Sequence, residues 1–203
     1  MTSLFTAANL LEILENNPEN EVREMLNSFS CEKNSDVENF IRHKAINFAK
    51  QRLASVWLVL APHGDSSVIV GYFALTQKFF KADLQALSAN MRRRIEKFIN
   101  FFDDTESGIL IAPLIGQLGK NYTDNFDKLI TGDELLNTAC ETVKEGQRIF
   151  GGRLVYLECA DSPKLIEFYE RNGFVKFGSR IIEDREKAEF EGKYLIQLLK
   201  YLD

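Results

Sequence analysis

Between residues 35 and 53, Val37, Phe40, Ile41, Ala45, Phe48 and Ala49 recur at helical spacing, with Arg42, Lys44, Lys50 and Arg52 at the positions between them. This pattern predicts an amphipathic helix with one buried face. Residues 55–61 (SVWLVLA) and 68–76 (VIVGYFALT) are instead rich in β-branched and aromatic residues, and the PHGDSS between them carries turn chemistry, so an antiparallel hairpin is expected. Ahead of these, residues 4–15 and 21–29 read as two short helices broken at Asn16, Asn17 and Pro18, which makes residues 1–28 a helical N-terminal extension.

Farther along, Leu84, Leu87, Met91, Ile95, Phe98 and Phe102 again fall at helical spacing, with Arg92, Arg93, Arg94 and Lys97 interleaved. Residues 108–118 (GILIAPLIGQL) are apolar enough for a central strand, but Pro113 has no N–H to give a ladder and implies a bulge or splay. Thr131 and Glu134 stand at capping-box spacing, predicting a helix from Gly132 to about Phe150 that Gly151 and Gly152 terminate. Residues 154–159 (LVYLEC) form a buried strand, and Ser162-Pro163 opens a helix closed by Asn172 and Gly173. The last candidate strands are 174–179 and 194–201, the second of which also fits a helix. No repeat, low-complexity tract or linker interrupts the chain, so residues 1–203 are read as a single domain.

Composition narrows the function. With 203 residues, 45% of them hydrophobic, the chain can bury a core without disulfides or metals. A net charge of −5 gives no global attraction to nucleic acid or an anionic membrane, so any anion site must be local. Cys31, Cys140 and Cys159 are odd in number and widely spaced, which suggests neither a disulfide framework nor a zinc cluster. His43 and His63 enter no metal or triad motif and are read as surface or structural residues. The first residues do not pair a basic leader with an apolar stretch, and no apolar run approaches the ~18 residues of a membrane span. A cytoplasmic protein with no membrane partner is expected.

The element order resembles that of the GNAT superfamily of N-acetyltransferases, and SPKLIEFYERNGF (residues 162–174) is similar to their motif N-x-x-A-x-x-F-Y-x-x-x-G-F. Phe168, Tyr169, Gly173 and Phe174 match in identity, Ser162 replaces Asn, and Leu165 replaces Ala while keeping an apolar face. Ser is expected to cap this helix much as Asn does. Residues 29–60 and the helix containing ALSANMRRRIEKF also resemble the GNAT branch that includes bacterial toxins acetylating aminoacyl-tRNA.

The resemblance implies an α+β fold: a mixed, mostly antiparallel central sheet flanked by helices, with a V-shaped splay between two central strands. It also implies an acetyltransferase moving an acetyl group from acetyl-CoA to a primary amine, with no metal. The donor would lie in the V between the strands 108–118 and 154–159, its pantetheine arm bonded by the backbone around Gln117, Leu118 and Gly119. Its pyrophosphate would meet a [QR]-x-x-G-x-[GA] loop at a helix start, an anion site by geometry and dipole. Here that loop reads Asp127-Lys128-Leu129-Ile130-Thr131-Gly132, in which only Gly132 matches. Ile130 can offer its amide but resists the positive φ open to glycine, Lys128 is a candidate replacement charge, and Thr131 doubles as a helix cap. Ser162 completes the cofactor set, and Tyr169 takes the position of the acid that protonates the departing thiolate.

Three alternatives stay open at this level. Tyr169 beside Phe168 also fits simple core packing. Loss of the loop glycine fits a catalytically inactive GNAT-like binding module. Aminoacyl-tRNA acetylation, a subcase of the enzyme reading, rests on the basic run Arg92, Arg93, Arg94 and Lys97, which also fits a solvated helix face.

Overall fold

The computed structural model describes residues 5–83, 87–101, 107–183 and 193–203. The chain divides into two compact units, residues 1–76 with 116–141 and residues 77–115 with 142–203. The strand order is β1-β2-β3-β5-β6-β8-β7, with β4 paired to β5 off this path. Among the described residues β1–β2, β2–β3, β4–β5, β6–β8 and β7–β8 pair antiparallel, and β5 pairs with β6 in parallel.

In the first unit β1 (Thr6–Asn9) lies antiparallel to β2 (Ser55–His63), Thr6 opposite Leu60 and Asn9 opposite Trp57. This corrects the reading of residues 4–15 as one helix. An edge pairing available only in the tertiary structure claims the small residues Thr6, Ala7 and Ala8, and tertiary context overrides local propensity. Asn9 then starts α1 (Leu10–Asn16), its Oδ1 accepting from the Leu11 amide at 2.9 Å. Past α2 (Glu19–Asn27), the amphipathic stretch forms as α3 (Ser35–Asn39), a wider π turn (Phe40–Lys44) and α4 (Ala45–Lys50). β2 and β3 (Ser66–Asp83) make the expected hairpin, closed between His63 and Ser66 with Gly64 at φ +60°. The core of this unit gathers around Tyr72, whose ring meets Phe29 edge-on at 5.2 Å and stacks on Phe40 at 6.2 Å.

In the second unit the expected helix around residues 84–102 is short: α5 (Ala89–Ile95) is followed by one 3-10 turn (Glu96–Phe98) and then by β4 (Ile99–Phe101). Leu84 and Phe102 lie outside the described residues. Ile99 pairs with Leu110 and Phe101 with Gly108 on β5 (Ser107–Lys120), so the ladder takes over where helical spacing predicted another turn. After α6 (Gly132–Phe150) come β6 (Leu154–Ala160), α7 (Pro163–Arg171), β7 (Val175–Ile181) and β8 (Tyr194–Tyr201). β8 resolves as a strand because it is paired on both sides, Leu198 lying opposite Leu157 of β6 and Lys176 of β7. Phe80 fills the core of this unit, with ring centroids 4.3 Å from Tyr156 and 5.0 Å from Phe177.

One close approach in the first unit is specific to glycine. A Cβ on Gly119 would stand 2.2 Å from Val37 Cγ1, and one on Gly71 would stand 2.9 Å from the Gly119 carbonyl oxygen. Overpacking of this kind typically costs about 1–3 kcal/mol. Gly119→Ala is therefore expected to lose about 1–3 kcal/mol of stability, read as a lower urea midpoint at an unchanged m-value, and a variant as stable as the parent would show that Val37 moves aside without cost.

Candidate active site

The ladder between β5 and β6 consists of two parallel pairs, Leu114 with Tyr156 and Ile115 with Leu157. β5 nevertheless continues to Lys120 and β6 to Ala160. The segment of β5 proposed to meet the pantetheine arm, Gln117, Leu118 and Gly119, is therefore strand backbone beyond the end of that ladder. The Gln117 side chain is already committed: its Nε2 donates to Asp36 Oδ2 at 2.8 Å, and its Oε1 lies 3.3 Å from the hydroxyl of buried Tyr72, which donates to the Val37 carbonyl at 2.6 Å. Burial first, then the nearby Asp36 carboxylate, raises the Tyr72 phenol well above its ordinary range, so it stays a hydrogen-bond donor. Any role of Gln117 toward a ligand falls to its backbone.

From the end of β5 the chain passes through a 3-10 stretch, Thr123–Leu129, whose turns are taken by Asp124 and Asn125 at φ +49° and +63°. Asp and Asn tolerate the left-handed region better than other side chains. Ile130 sits at φ −139°, ψ 140°, in ordinary extended backbone, with its side chain 2% exposed. The departure from glycine thus carries no strain, because the loop turns earlier and Ile130 serves as a core residue. Asn121, itself 1% exposed, fastens the loop: it accepts from the Ser30 and Thr123 amides and donates to the Ile69 carbonyl at 2.8 Å. Lys128, read as a replacement charge, is exposed. Instead Lys120 bonds into the loop, donating to the carbonyls of Asp127 at 2.5 Å and Ile130 at 2.8 Å.

The helix start is the capping box that the spacing predicted. Thr131 Oγ1 accepts from the Glu134 amide at 3.1 Å, and Glu134 Oε2 accepts from the Thr131 amide at 2.8 Å and its hydroxyl at 2.7 Å. Those Thr131 bonds, aided by Lys120, hold the Glu134 carboxyl below the usual range. Gly132 is the first residue of α6, in the turn whose amides have no intrahelical acceptor.

In the second unit, Tyr169 lies in α7 and Ser162 immediately precedes it. Ser162 occupies the N-cap position, but its side chain makes no capping bond, contrary to the sequence expectation; its carbonyl accepts from the Leu165 and Ile166 amides, both at 3.0 Å. At the other end the motif is a helix stop. Gly173 adopts φ +83°, its amide donates to Glu170 at 2.9 Å, and the Phe174 amide donates to the Tyr169 carbonyl at 3.1 Å. This double bond with a left-handed glycine is the Schellman arrangement, which favours an apolar contact between the residue after glycine and the third helical residue from the end. Here that contact joins Phe174 to Tyr169, ring centroids 5.9 Å apart, with Phe168 on the Tyr169 ring at 4.9 Å. Burial, then Cys159, raises the Tyr169 phenol above its ordinary range, so it holds its proton at neutral pH.

Glu158 of β6 is paired. Its oxygens accept from Arg180 Nε at 3.0 and 2.9 Å, from Arg180 Nη2 at 2.7 Å and from Gln197 Nε2 at 2.8 Å. The basic run is divided too. The Arg94 guanidinium stacks over the Tyr201 ring at 3.8 Å and pairs with Asp203, while Arg92 and Arg93 line a hollow with Leu87, Ala89 and Glu96. Cys31, Cys140 and Cys159 are buried thiols outside any disulfide, and burial pushes the Cys159 thiol up to about 11. Among the described residues no group of three or more His, Cys, Asp or Glu side chains is placed to hold a metal, and no helix is long and apolar enough to cross a membrane. Spacing predicted the capping box and the helix stop. Lys120 and Asn121 carried no sequence signal, because their partners are backbone atoms brought near only by the fold.

No protein-family model and no curated protein matches the chain. Its fold is similar to those of several solved toxins. A structure described as a bacterial toxin is 16% identical, with 98% of this chain and 90% of that chain covered at a TM-score of 0.63. AtaTR bound with acetyl-CoA is 15% identical over 97% of this chain and 94% of that one, TM-score 0.59. AtaT complexed with acetyl-methionyl-tRNAfMet is 14% identical over 95% and 93%, TM-score 0.59. The chain therefore shares the fold of these solved toxin structures, a mixed and mostly antiparallel sheet flanked by helices.

The capping box gives a test of pH dependence. The Glu134 carboxyl is more acidic in the folded chain than the ~4.3 of a free glutamate, so its stabilising contribution is complete above that value and is lost as pH falls through the lowered folded value. Thr131→Ala is expected to cost about 1 kcal/mol at pH 7. The stability deficit of Glu134→Gln is expected to shrink toward zero as pH falls through the lowered folded value, measured by urea denaturation across the acid range; a deficit constant with pH would show that the carboxylate charge plays no part.

Proposed function

We propose that this chain transfers an acetyl group from acetyl-CoA to a primary amine. The observation that carries the reading is Tyr169, a protonated phenol held by an aromatic contact at the end of the helix that follows β6. The fold shared with acetyl-CoA-bound AtaTR supports the donor. The β5 backbone at Gln117, Leu118 and Gly119 is assigned to the pantetheine arm, and the amides around Lys128, Ile130, Thr131 and Gly132 to the pyrophosphate. Ser162, at the N-cap of α7, stays with the cofactor set through its hydroxyl, which makes no capping bond, while its amide and carbonyl are bonded within the chain. In the reaction a neutral amine nitrogen attacks the thioester carbonyl, the carbon–sulfur bond breaks, and the thiolate takes the Tyr169 proton. The nitrogen gives up one proton, which restores the phenol, so the products are the amide and the free thiol.

Specific observations favour narrower or competing readings. Arg92 and Arg93 share a hollow, and the fold is also that of AtaT bound to an acetylated aminoacyl-tRNA, which supports an aminoacyl-tRNA acceptor within the enzyme reading. Against catalysis, the Thr131 amide is occupied by a carboxylate of the chain itself, which supports a GNAT-shaped binding module.

Two experiments separate these. Tyr169→Phe keeps the ring and removes the hydroxyl, so acetyl-CoA binding should persist while single-turnover acetyl transfer slows about 10²–10⁴-fold. An unchanged chemical rate in the folded variant would leave Tyr169 as packing. For the tRNA subcase, Arg92→Ala with Arg93→Ala should weaken aminoacyl-tRNA binding and flatten its salt dependence by about one unit of log–log slope per lost phosphate contact. An unchanged slope would make the run a surface face.

A further inference from the structure

We propose that Lys120 is the positioning residue of the pyrophosphate loop, doing there what a glycine and a Gln or Arg would otherwise do. The inference rests on the acetyl-CoA reading and deepens it.

Lys120 is the last residue of β5, and its ammonium donates to the carbonyls of Asp127 and Ile130, which lie at the two ends of the Lys128-Leu129 segment. An ammonium has three N–H donors and no acceptor, so it can draw carbonyl oxygens toward itself and can offer nothing else. In a planar trans peptide the C=O of one residue points opposite to the N–H of the next. Turning the Asp127 and Ile130 carbonyls onto Lys120 therefore aims the amides of Lys128 and Thr131 away from it. It also removes two negative carbonyl ends from the face where an anion would sit.

The outward aim is visible at Thr131, whose amide donates within the capping box rather than toward Lys120. The Thr131 amide already holds an anionic oxygen, Glu134 Oε2, at 2.8 Å. The positive charge of Lys120 is felt at that carboxylate, where it adds to the acidity given by the Thr131 bonds. Ile130 can then stay extended with its side chain buried, because the ammonium fixes by hydrogen bonds the path that a positive-φ glycine would fix by conformation. Lys120 touches backbone rather than reacting atoms, so its role is positioning.

The test compares two acetyl donors by calorimetry on the full chain: acetyl-CoA, and S-acetyl-pantetheine, which lacks the pyrophosphate. Lys120→Met is expected to weaken acetyl-CoA tenfold or more and to leave S-acetyl-pantetheine unchanged, with Lys120→Arg recovering most of the loss. Lys120→Gln, which keeps N–H donors without the charge, should fall between. Equal losses for both donors, or none for acetyl-CoA, would overturn the positioning role while the parent chain's own binding keeps the acetyl-CoA reading intact. If neither neutral variant folds, Lys120 belongs to the fold rather than to the site, and the proposal fails. Absence of acetyl-CoA binding by the parent chain would instead remove the donor assignment, and the role of Lys120 with it.

Discussion

Everything assigned to the donor depends on a parallel contact only two residue pairs long, Leu114 with Tyr156 and Ile115 with Leu157. Parallel strands cannot be joined by a tight turn and need a crossover of a dozen residues or more. Here the crossover is the loop after Lys120 followed by α6, so a helix N-terminus comes soon after the end of β5 in the chain. The parallel pairs among the described residues end at Ile115, while β5 itself runs on to Lys120.

The irregular segment between β5 and α6 is held by polar side chains rather than by repeating structure. Asn121 bonds three separate pieces of backbone, Lys120 gathers two carbonyls, and Thr131 and Glu134 close the helix start on each other. Buried backbone groups must find partners, and here a few side chains satisfy a loop that lacks the glycine of the GNAT pattern it resembles. The consequence is chemical: a loop fixed by donors aimed at its carbonyls turns its amides outward.

The end of α7 shows how a helix stop fixes the residue proposed as the acid. Gly173 and Phe174 match the family motif because they stop a helix, one by its left-handed backbone and the other by an apolar contact. That contact falls on Tyr169 and orients it. The agreement of Gly173 and Phe174 with the motif is thus evidence for the helix stop, and evidence for the role of Tyr169 only through the ring that the stop holds.

Local chemistry made much of this legible in advance. The hairpin, the capping box at Thr131 and Glu134, the glycines that end α6 and α7, and the amphipathic run after Ser35 all follow from side chains within a few residues of one another. Tertiary structure alone decided the rest. Thr6–Asn9 and Ile99–Phe101 became strands because distant partners offered ladders, Ser162 lost its expected capping bond, and Ile130 escaped strain because Asp124 and Asn125 took the turns. Lys120 gained its place the same way, since backbone carbonyls seven and ten residues onward carry no sequence signature. A sequence specifies what each side chain can bond, but which backbone atoms come within reach is settled only when the strands have paired.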